Sequence, residues 1–278
     1  MSKGAVHRPR ARFSQHFLQD RAIIARLVEV IDPKPGETVV EIGPGLGALT
    51  EPLLERLGRL DVVEIDTRLV AALRRRFSGI EGLRIHHADA LTFDFASLAS
   101  ETPGLRVVGN LPYHISTPLL FHLFAHSPIL ADMHFMLQRE LVQRLVSPPG
   151  SRRYGRLSVT VQYHCRVEKL FDVKPEAFRP VPRVASTVIR LTPHSEPPVP
   201  LASLSAFESL VARAFAQRRK TLRNSLKGWL NEDQIRAANV DPGTRPETLD
   251  LADFAELANL LHRKPASSQG APRHPAEG

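Results

Sequence analysis

From residue 38 to residue 146 the chain repeats one alternation, a short apolar run followed by a longer segment with apolar positions at helical spacing. The short runs are TVVEI (38–42), RLDVVEI (59–65), LRIHH (83–87), LRVVGN (105–110) and DMHFML (132–137). Helical patterns occupy 46–57, 67–77, 117–126 and 139–146. Parallel strands need long crossovers, so this alternation predicts an α/β fold with a mostly parallel sheet covered on both faces. A further helix is expected at 21–31, stopped by Pro33-Lys34-Pro35-Gly36. Beyond the alternation, RLSVTVQYHC (156–165) reads as helical, and RVEKLFDV (166–173) and STVIRL (186–191) pair as a closing antiparallel hairpin.

The pattern changes at PHSEPPVP (193–200), a proline-rich stretch that reads as a linker. After it only helical segments are expected, around 203–229, 232–238 and 250–262, and the tail KPASSQGAPRHPAEG is too poor in apolar residues to pack. The expected domains are therefore 1–195, 196–264 (small and all-helical) and a disordered tail, 265–278. With 278 residues, 42% of them hydrophobic, both cores can be filled. No apolar run is long enough to span a bilayer, and MSKGAVHRPRAR lacks the apolar centre of a signal peptide, so a soluble, cytoplasmic protein without a membrane partner is expected. A single cysteine, Cys165, forms no internal disulfide and suits a reducing compartment.

The formal charge is +8, and the cations cluster. Lys3, Arg8, Arg10 and Arg12 form one run; Arg139, Arg144, Arg152, Arg153 and Arg156 form a second, with Glu140 its one acid. Arg213, Arg218, Arg219, Lys220, Arg223 and Lys227 form a third, free of acids. One such run is ordinarily a solvated face, but three in a basic chain favour a polyanionic partner. On a continuous helix Arg219, Arg223 and Lys227 would make one outward stripe, anchored by Leu222 and Leu226.

EIGPGLG ends the first strand with Gly43-x-Gly45-x-Gly47. Glycines there allow positive φ and close approach of a ligand to N–H groups at a helix N-terminus. The spacing is not the G-x-G-x-x-G of dinucleotide folds, and no Lys-Ser/Thr pair marks a triphosphate loop. Glu41 precedes the first glycine by two residues; a pyrophosphate would tolerate it poorly, whereas a cationic ligand fits beside it. Glu64, at the end of the second strand, stands where a carboxylate accepts ribose hydroxyls, and Asp89, after the third, could accept from an adenine amine. Either acid alone is equally a helix cap or a loop end. Together the three loops describe an adenosyl ligand without phosphates, and S-adenosylmethionine fits.

GNLPYHIST (109–117) ends the fourth strand beside the same crevice. Ser116, Thr117 and Pro118 suit a helix start, but Asn110, Pro112 and Tyr113 are not explained that way. An adenine amine is a poor nucleophile because its lone pair is delocalised into the ring. Two acceptors, the Asn110 side-chain oxygen and a backbone carbonyl near Pro112, would help localise it, and Tyr113 could stack on an extruded base. No nucleophile–base set is evident, so positioning and electrostatics would carry the rate. His122 and His126 have metal-pair spacing but no third ligand candidate, so no metal is expected.

FSQHFLQD, VVEIGPGLGALT, VVEID, ADALTFDF, GNLPYHISTPLLFHL, MLQRELVQRL, YGRLSV, FRPVPRVASTVIRL and AFAQRRKTLRNSL occur in that order. Over roughly residues 10–262 the chain thereby resembles the bacterial small-subunit (16S) rRNA adenine dimethyltransferases of the rRNA adenine dimethylase family. The resemblance implies a Rossmann-like methyltransferase fold with a seven-stranded sheet and a small C-terminal helical domain, acting as a monomer. It implies S-adenosylmethionine-dependent dimethylation of two adjacent adenosines in the 3′-terminal hairpin of 16S rRNA within the immature small ribosomal subunit. His16, Leu18, Gly43, Glu64, Asp89 and Asn110 stand at the family's cofactor positions. Asn110, Leu111, Pro112 and Tyr113 would hold the target amine, with Phe178, on the exposed proline-rich loop AFRPVPR, as second stacking face, and Arg218, Arg219, Lys220, Arg223 and Lys227 would bind RNA. His16 and His114 stand where the family often carries asparagine. The competing readings are the related large-subunit enzymes of macrolide resistance and a ribosome-assembly factor that binds without catalysis.

Overall fold

A computed structural model describes residues 16–98, 104–112, 114–217 and 219–263. The described chain divides into two compact units, one built from residues up to Val146 and from His164–Ser195, the other from Ser147–Tyr163 and from Glu196 onward.

The first unit begins with strand β1 (Phe17–Leu18) and helix α1 (Arg21–Ile31). Asp20 caps α1, its carboxylate accepting from the N–H groups of Ala22 and Ile23, and Asp32 ends it in the left-handed region at φ 47°. Then come β2 (Val39–Ile42), α2 (Thr50–Leu57), β3 (Leu60–Glu64), α3 (Thr67–Arg76), β4 (Leu83–His87), β5 (Leu105–Asn110), α4 (Ser116–Phe124), β6 (Leu130–Gln138) and α5 (Arg139–Leu145). Helix α6 (Arg156–His164) leads to β7 (Cys165–Val173), β8 (Phe178–Arg179) and β9 (Ser186–Pro193).

Seven strands form one sheet in the order β4-β3-β2-β5-β6-β9-β7. The first five pair in parallel, while β9 runs antiparallel to both β6 and β7. The expected closing hairpin is therefore present, with a register slip between Lys169 and Phe171. Every residue of β2 is buried, as a strand paired on both sides and covered on both faces requires. The chain moves outward from β2 through β3 to β4, then returns to add β5 on the other flank of β2. Strand order reverses there, and a crevice opens at the carboxyl ends.

Two boundaries differ from the sequence expectation for local reasons. The helix expected from 46 starts at Thr50, because Gly45 and Gly47 hold positive φ and keep the preceding residues in turns. A Cβ at Gly47 would stand 2.7 Å from the Phe77 ring, so glycine is required there on two counts. The strand expected over 132–137 extends to Leu130–Gln138. The two-stranded sheet of β1 with β8 was not foreseen.

The second unit has its own core, in which Phe207, Leu210, Leu222, Leu226, Ile235, Phe254 and Leu257 are buried together with Tyr154 and Val159. Its helices are α6, all but its last residue His164, with α7 (Leu204–Phe215), α8 (Leu222–Ser225), α9 (Glu232–Ala237) and α10 (Leu251–Arg263). Residues 147–163, which the sequence reading kept with the sheet, belong here because Tyr154 packs its ring 6.2 Å from Phe215. The expected helix over 203–229 is broken: it stops at Phe215 and resumes only for the four residues of α8. Thr221 is extended, and the N–H groups of Leu222 and Arg223 donate to the carbonyls of Thr244 and Pro242. Gly228 then takes φ 85°. The continuous cationic stripe is thus corrected, although Leu222 and Leu226 are buried anchors as expected. The tail expected to be disordered, 265–278, lies outside the described residues. Among those residues no helix is long and apolar enough to cross a membrane.

At the amino end of the sheet Arg106 is buried in a charged network. Its Nε donates to Asp132 at 3.0 Å, and its terminal nitrogens donate to Glu37 and to the Ile31 carbonyl at 2.6 Å each. Burial works to raise the Asp132 carboxyl pKa, but the His134 ring 3.4 Å away and the hydrogen bonds and charge of Arg106 outweigh it and hold that carboxyl below its ordinary range. Removing Arg106 would leave the half-buried carboxylates of Glu37 and Asp132 without their cation. Arg106→Ala should cost about 3–5 kcal/mol of stability, read from the urea midpoint of the sheet unit; a loss within that of a surface substitution would show that the network is well solvated.

Candidate functional site

The carboxyl ends of β2, β3, β4 and β5 surround a cavity of about 930 Å³. It is lined by Gly43, Gly45, Glu64, Asp89 and Asn110, together with His16, Leu18, Leu111, Pro112 and Phe178. Every described residue among the expected cofactor and target-holding positions therefore reaches one cavity. Tyr113 and Arg218 lie outside the described residues.

The floor is acidic. Glu41 is buried, and Thr50 Oγ1 donates to its Oε2 at 2.6 Å. Burial pushes the Glu41 carboxyl up to about 7 against the lowering effect of that hydrogen bond, and nearby Glu64 adds to the rise. Burial also raises the Glu64 carboxyl, although backbone N–H groups of Asp66, Gly45 and Ile65 oppose it. The Asp66 N–H donates to Glu64 Oε1 at 2.9 Å, and Asp66 itself caps α3. Asp89 is exposed, and its Oδ1 accepts from the Leu91 N–H at 2.9 Å, so it shapes its own loop while facing the cavity. Of the cavity's cations, Arg76 is engaged with Glu51 at 2.7 Å and with the Leu46 carbonyl.

Asn110 ends β5 half-buried, and its Nδ2 donates to the His16 carbonyl at 3.2 Å. That bond sets the amide's orientation, because a carbonyl can only accept, and leaves Oδ1 as the acceptor toward a ligand. The Pro112 carbonyl is not available: it accepts from the Ile115 N–H at 3.2 Å and from Ser116 Oγ at 3.1 Å. Ser116, read from sequence as a possible cap, thus braces the turn instead. Leu111, immediately before Pro112, also lines the cavity.

Phe178 is not on an exposed loop as expected. It is 1% exposed, pairs with Leu18 across the two-stranded sheet, and joins the hydrophobic core while facing the cavity. Its neighbours Val181 and Val184 are exposed instead. Sequence reasoning missed Ile65, an apolar side chain 45% exposed at the rim immediately after Glu64. An apolar residue next to a strand-end acid was the available signal. It also missed Phe17, whose ring stands 3.1 Å from where a Cβ on Gly45 would lie and so closes one wall. Among the described residues no group of three or more ligating side chains could hold a metal, and His122 Nε2 donates to the Phe93 carbonyl at 2.8 Å.

A mostly parallel sheet whose strand order reverses over an acidic, glycine-walled cavity, with an asparagine turned into it, defines a Rossmann-like methyltransferase. The chain belongs to the ribosomal RNA adenine dimethylase family, whose model matches residues 6–263. It is 53% identical to the ribosomal RNA small subunit methyltransferase A of Pseudomonas aeruginosa, over 96% of this chain and all of that one. It is 55% identical to the protein of the same name from Laribacter hongkongensis, over 91% of this chain and 96% of that one. Among solved structures it is similar to a dimethyladenosine transferase from Plasmodium falciparum, with TM-score 0.74 and 25% identity over 87% of this chain and 96% of that one. It is also similar to the 23S rRNA methyltransferase ErmE, with TM-score 0.67 and 28% identity over 89% of this chain and all of that one.

The Glu41 carboxyl gives the cavity a pH signature. Its pKa rises from 4.5 to about 7 on folding, so the folded protein keeps a proton that the unfolded chain releases. Stability from this group therefore falls as pH climbs above about 4.5 and levels off beyond about 7. Glu41→Gln removes the effect, and in the cofactor-free protein it should be more stable than wild type at pH 8.5 by up to about 3 kcal/mol. The advantage should shrink by pH 5.5. Urea unfolding at the two pH values checks this, and an advantage independent of pH would locate its cause elsewhere.

Proposed function

We propose that this chain transfers methyl groups from S-adenosylmethionine to the exocyclic amines of two adjacent adenosines in the 3′-terminal hairpin of 16S rRNA. The observation that carries this reading is Asn110, its Oδ1 turned by the His16 carbonyl toward a cavity whose floor holds two buried acids. The family match and the small-subunit methyltransferases at 53% and 55% identity support the substrate.

The cavity fits the cofactor on chemical grounds. Glu41 and Glu64 make it favourable to a cation, Glu64 and Asp89 offer acceptors to hydroxyls and an amine, and exposed Ile65 gives an apolar face that a flat base would cover. When bound, S-adenosylmethionine supplies an electrophilic methyl group on a cationic sulfur. The protein's own part is to hold the acceptor. Asn110 Oδ1 and the Leu111 carbonyl take the two amine hydrogens, which favours a pyramidal nitrogen with its lone pair aimed into the cavity. Tyr113 stacks on the extruded base, and Phe178 closes the other side. No side chain of matched pKa is required, because the amine becomes acidic once it carries the new methyl group and its proton leaves to solvent. Positioning and local electrostatics carry the rate.

RNA backbone is gripped elsewhere. Arg219, Lys220, Arg223 and Lys227 are exposed on the helical unit, though Arg223 lies 3.8 Å from Glu232 and so carries a weaker net field. We assign them, with Arg218, to phosphate contacts in the immature small subunit.

Labelled methyl transfer to small subunits lacking the modification, with the nucleoside identified, tests the reading. Dimethyladenosine is expected from 16S rRNA, and methylation confined to 23S rRNA would overturn it. In the same assay Asn110→Ala should abolish most turnover with little change in RNA affinity. Glu64→Ala should instead weaken cofactor binding by about 1.5–3 kcal/mol, the range for charge-assisted hydrogen bonds, as measured by calorimetry. Tyr113→Phe should stay active where Tyr113→Ala does not. Equal loss in both would remove the stacking role. For the cations, reversing charge at Arg219 and Lys220 should weaken binding to immature subunits and lower the log–log salt slope by roughly two. An unaltered slope would make them solvated surface only.

A further inference from the structure

The short sheet of β1 with β8 does more than close the cavity wall. Its register pairs Phe17 with Arg179 and Leu18 with Phe178, and the next pair would set His16 opposite Pro180. Proline has no N–H, so the backbone ladder cannot continue. The His16 side chain takes over at that point: its Nδ1 lies 2.7 Å from the Pro180 carbonyl. A carbonyl only accepts, so Nδ1 carries the proton, and in the neutral ring Nε2 is the bare nitrogen. The same residue's own carbonyl receives Asn110 Nδ2 at 3.2 Å.

We infer that His16 is a positioning residue that locks the loop after Phe178 to Asn110. Its backbone half orients the amide that meets the target amine. Its imidazole half fixes Pro180, and with it the strand that carries Phe178, the second face for the base. The inference rests on the methyl-transfer reading for what is positioned, but not for the lock itself. The surroundings leave this tether few substitutes. Below the pair, the N–H groups of Gln19 and Asp20 both converge on the Ala177 carbonyl, so the strap is firmly held at one end. Above it Val181 and Arg183 are exposed, and Pro182 is buried. Without the imidazole, the Pro180 end of the loop would lose its side-chain link to the strap, while the cavity's acids and glycines would stay in place. Acceptor geometry should therefore suffer even when the cofactor is saturating.

Two measurements test the lock. In the cofactor-free wild-type protein at pH 8.5, long-range proton–nitrogen spectra should show His16 as the Nδ1–H tautomer; the Nε2–H tautomer would overturn the proposal. In turnover at saturating S-adenosylmethionine, His16→Ala should lower kcat about five- to tenfold, the effect of one lost hydrogen bond; saturation separates this from any change in cofactor affinity, since His16 also lines the cavity. His16→Asn, whose amide can donate to the same carbonyl, should recover much of the rate. Wild-type kcat in the alanine variant, or a loss at saturating cofactor that asparagine does not rescue, would overturn it. A wild-type protein that methylates no adenine would refute the proposed reaction instead, and the tautomer, read without cofactor or RNA, would still decide the lock.

Discussion

Because β2 is paired in parallel on both sides, with β3 and with β5, the loops that follow these three strands must leave from the same edge of the sheet. That constraint builds the site. The glycine turn after Ile42, the acid at Glu64 and the amide at Asn110 are far apart in sequence and adjacent only because three parallel strands end together. Gly109 shows how closely they meet: a Cβ there would stand 2.6 Å from the Ile42 carbonyl oxygen. A side chain at that point would push apart the two strands between which the crevice opens.

The same convergence gathers acids, and that has a thermodynamic cost. Glu41 and Glu64 sit near each other with little solvent, and each raises the penalty for ionising the other. Among the described residues Arg76, which lines the cavity, is turned instead to Glu51 and Leu46. Such a floor favours a cationic ligand. Its arrival would lower both carboxyl pKa values, so the stability that the free protein forgoes at neutral pH becomes affinity for the ligand. Arg106, at the opposite end of the sheet, shows the contrasting solution, in which half-buried acids are satisfied by a cation of the chain itself.

Legibility in the sequence followed the range of the interaction. The sheet could be read almost strand by strand, because burial on both faces leaves uninterrupted apolar runs and the crossovers carry a helical period. The site's backbone features were legible for a related reason: glycine, proline and strand-end acids act locally, and Gly43, Glu64 and Asn110 stand where they were expected. What escaped was decided by distant partners. β1 and β8 are two residues each, too short for any period, and exist because they pair with one another. Phe178 was read from the prolines beside it as exposed, yet its environment is set by Leu18, 160 positions earlier. Residues 147–163 carry no compositional mark of the helical unit, and only the burial of Tyr154 and Val159 in its core assigns them there.

The broken helix after Phe215 belongs to the same argument and bears on what the cations can do. Helical spacing predicted a stripe because Arg219, Arg223 and Lys227 recur every four residues. Continuing the helix would have left the Thr244 and Pro242 carbonyls without the N–H groups of Leu222 and Arg223 that now satisfy them. Tertiary hydrogen bonds therefore outweigh the local period, and Leu222 and Leu226 remain buried in either arrangement. The cations end up on turns and one short helical segment, a looser array than a helix face. Such an array suits contacts to phosphates, which neutralise charge and set register without reading sequence. On the proposed reading, choice of the base is then left to the cavity in the sheet unit, where an amide with a fixed orientation would distinguish an amine donor from a carbonyl.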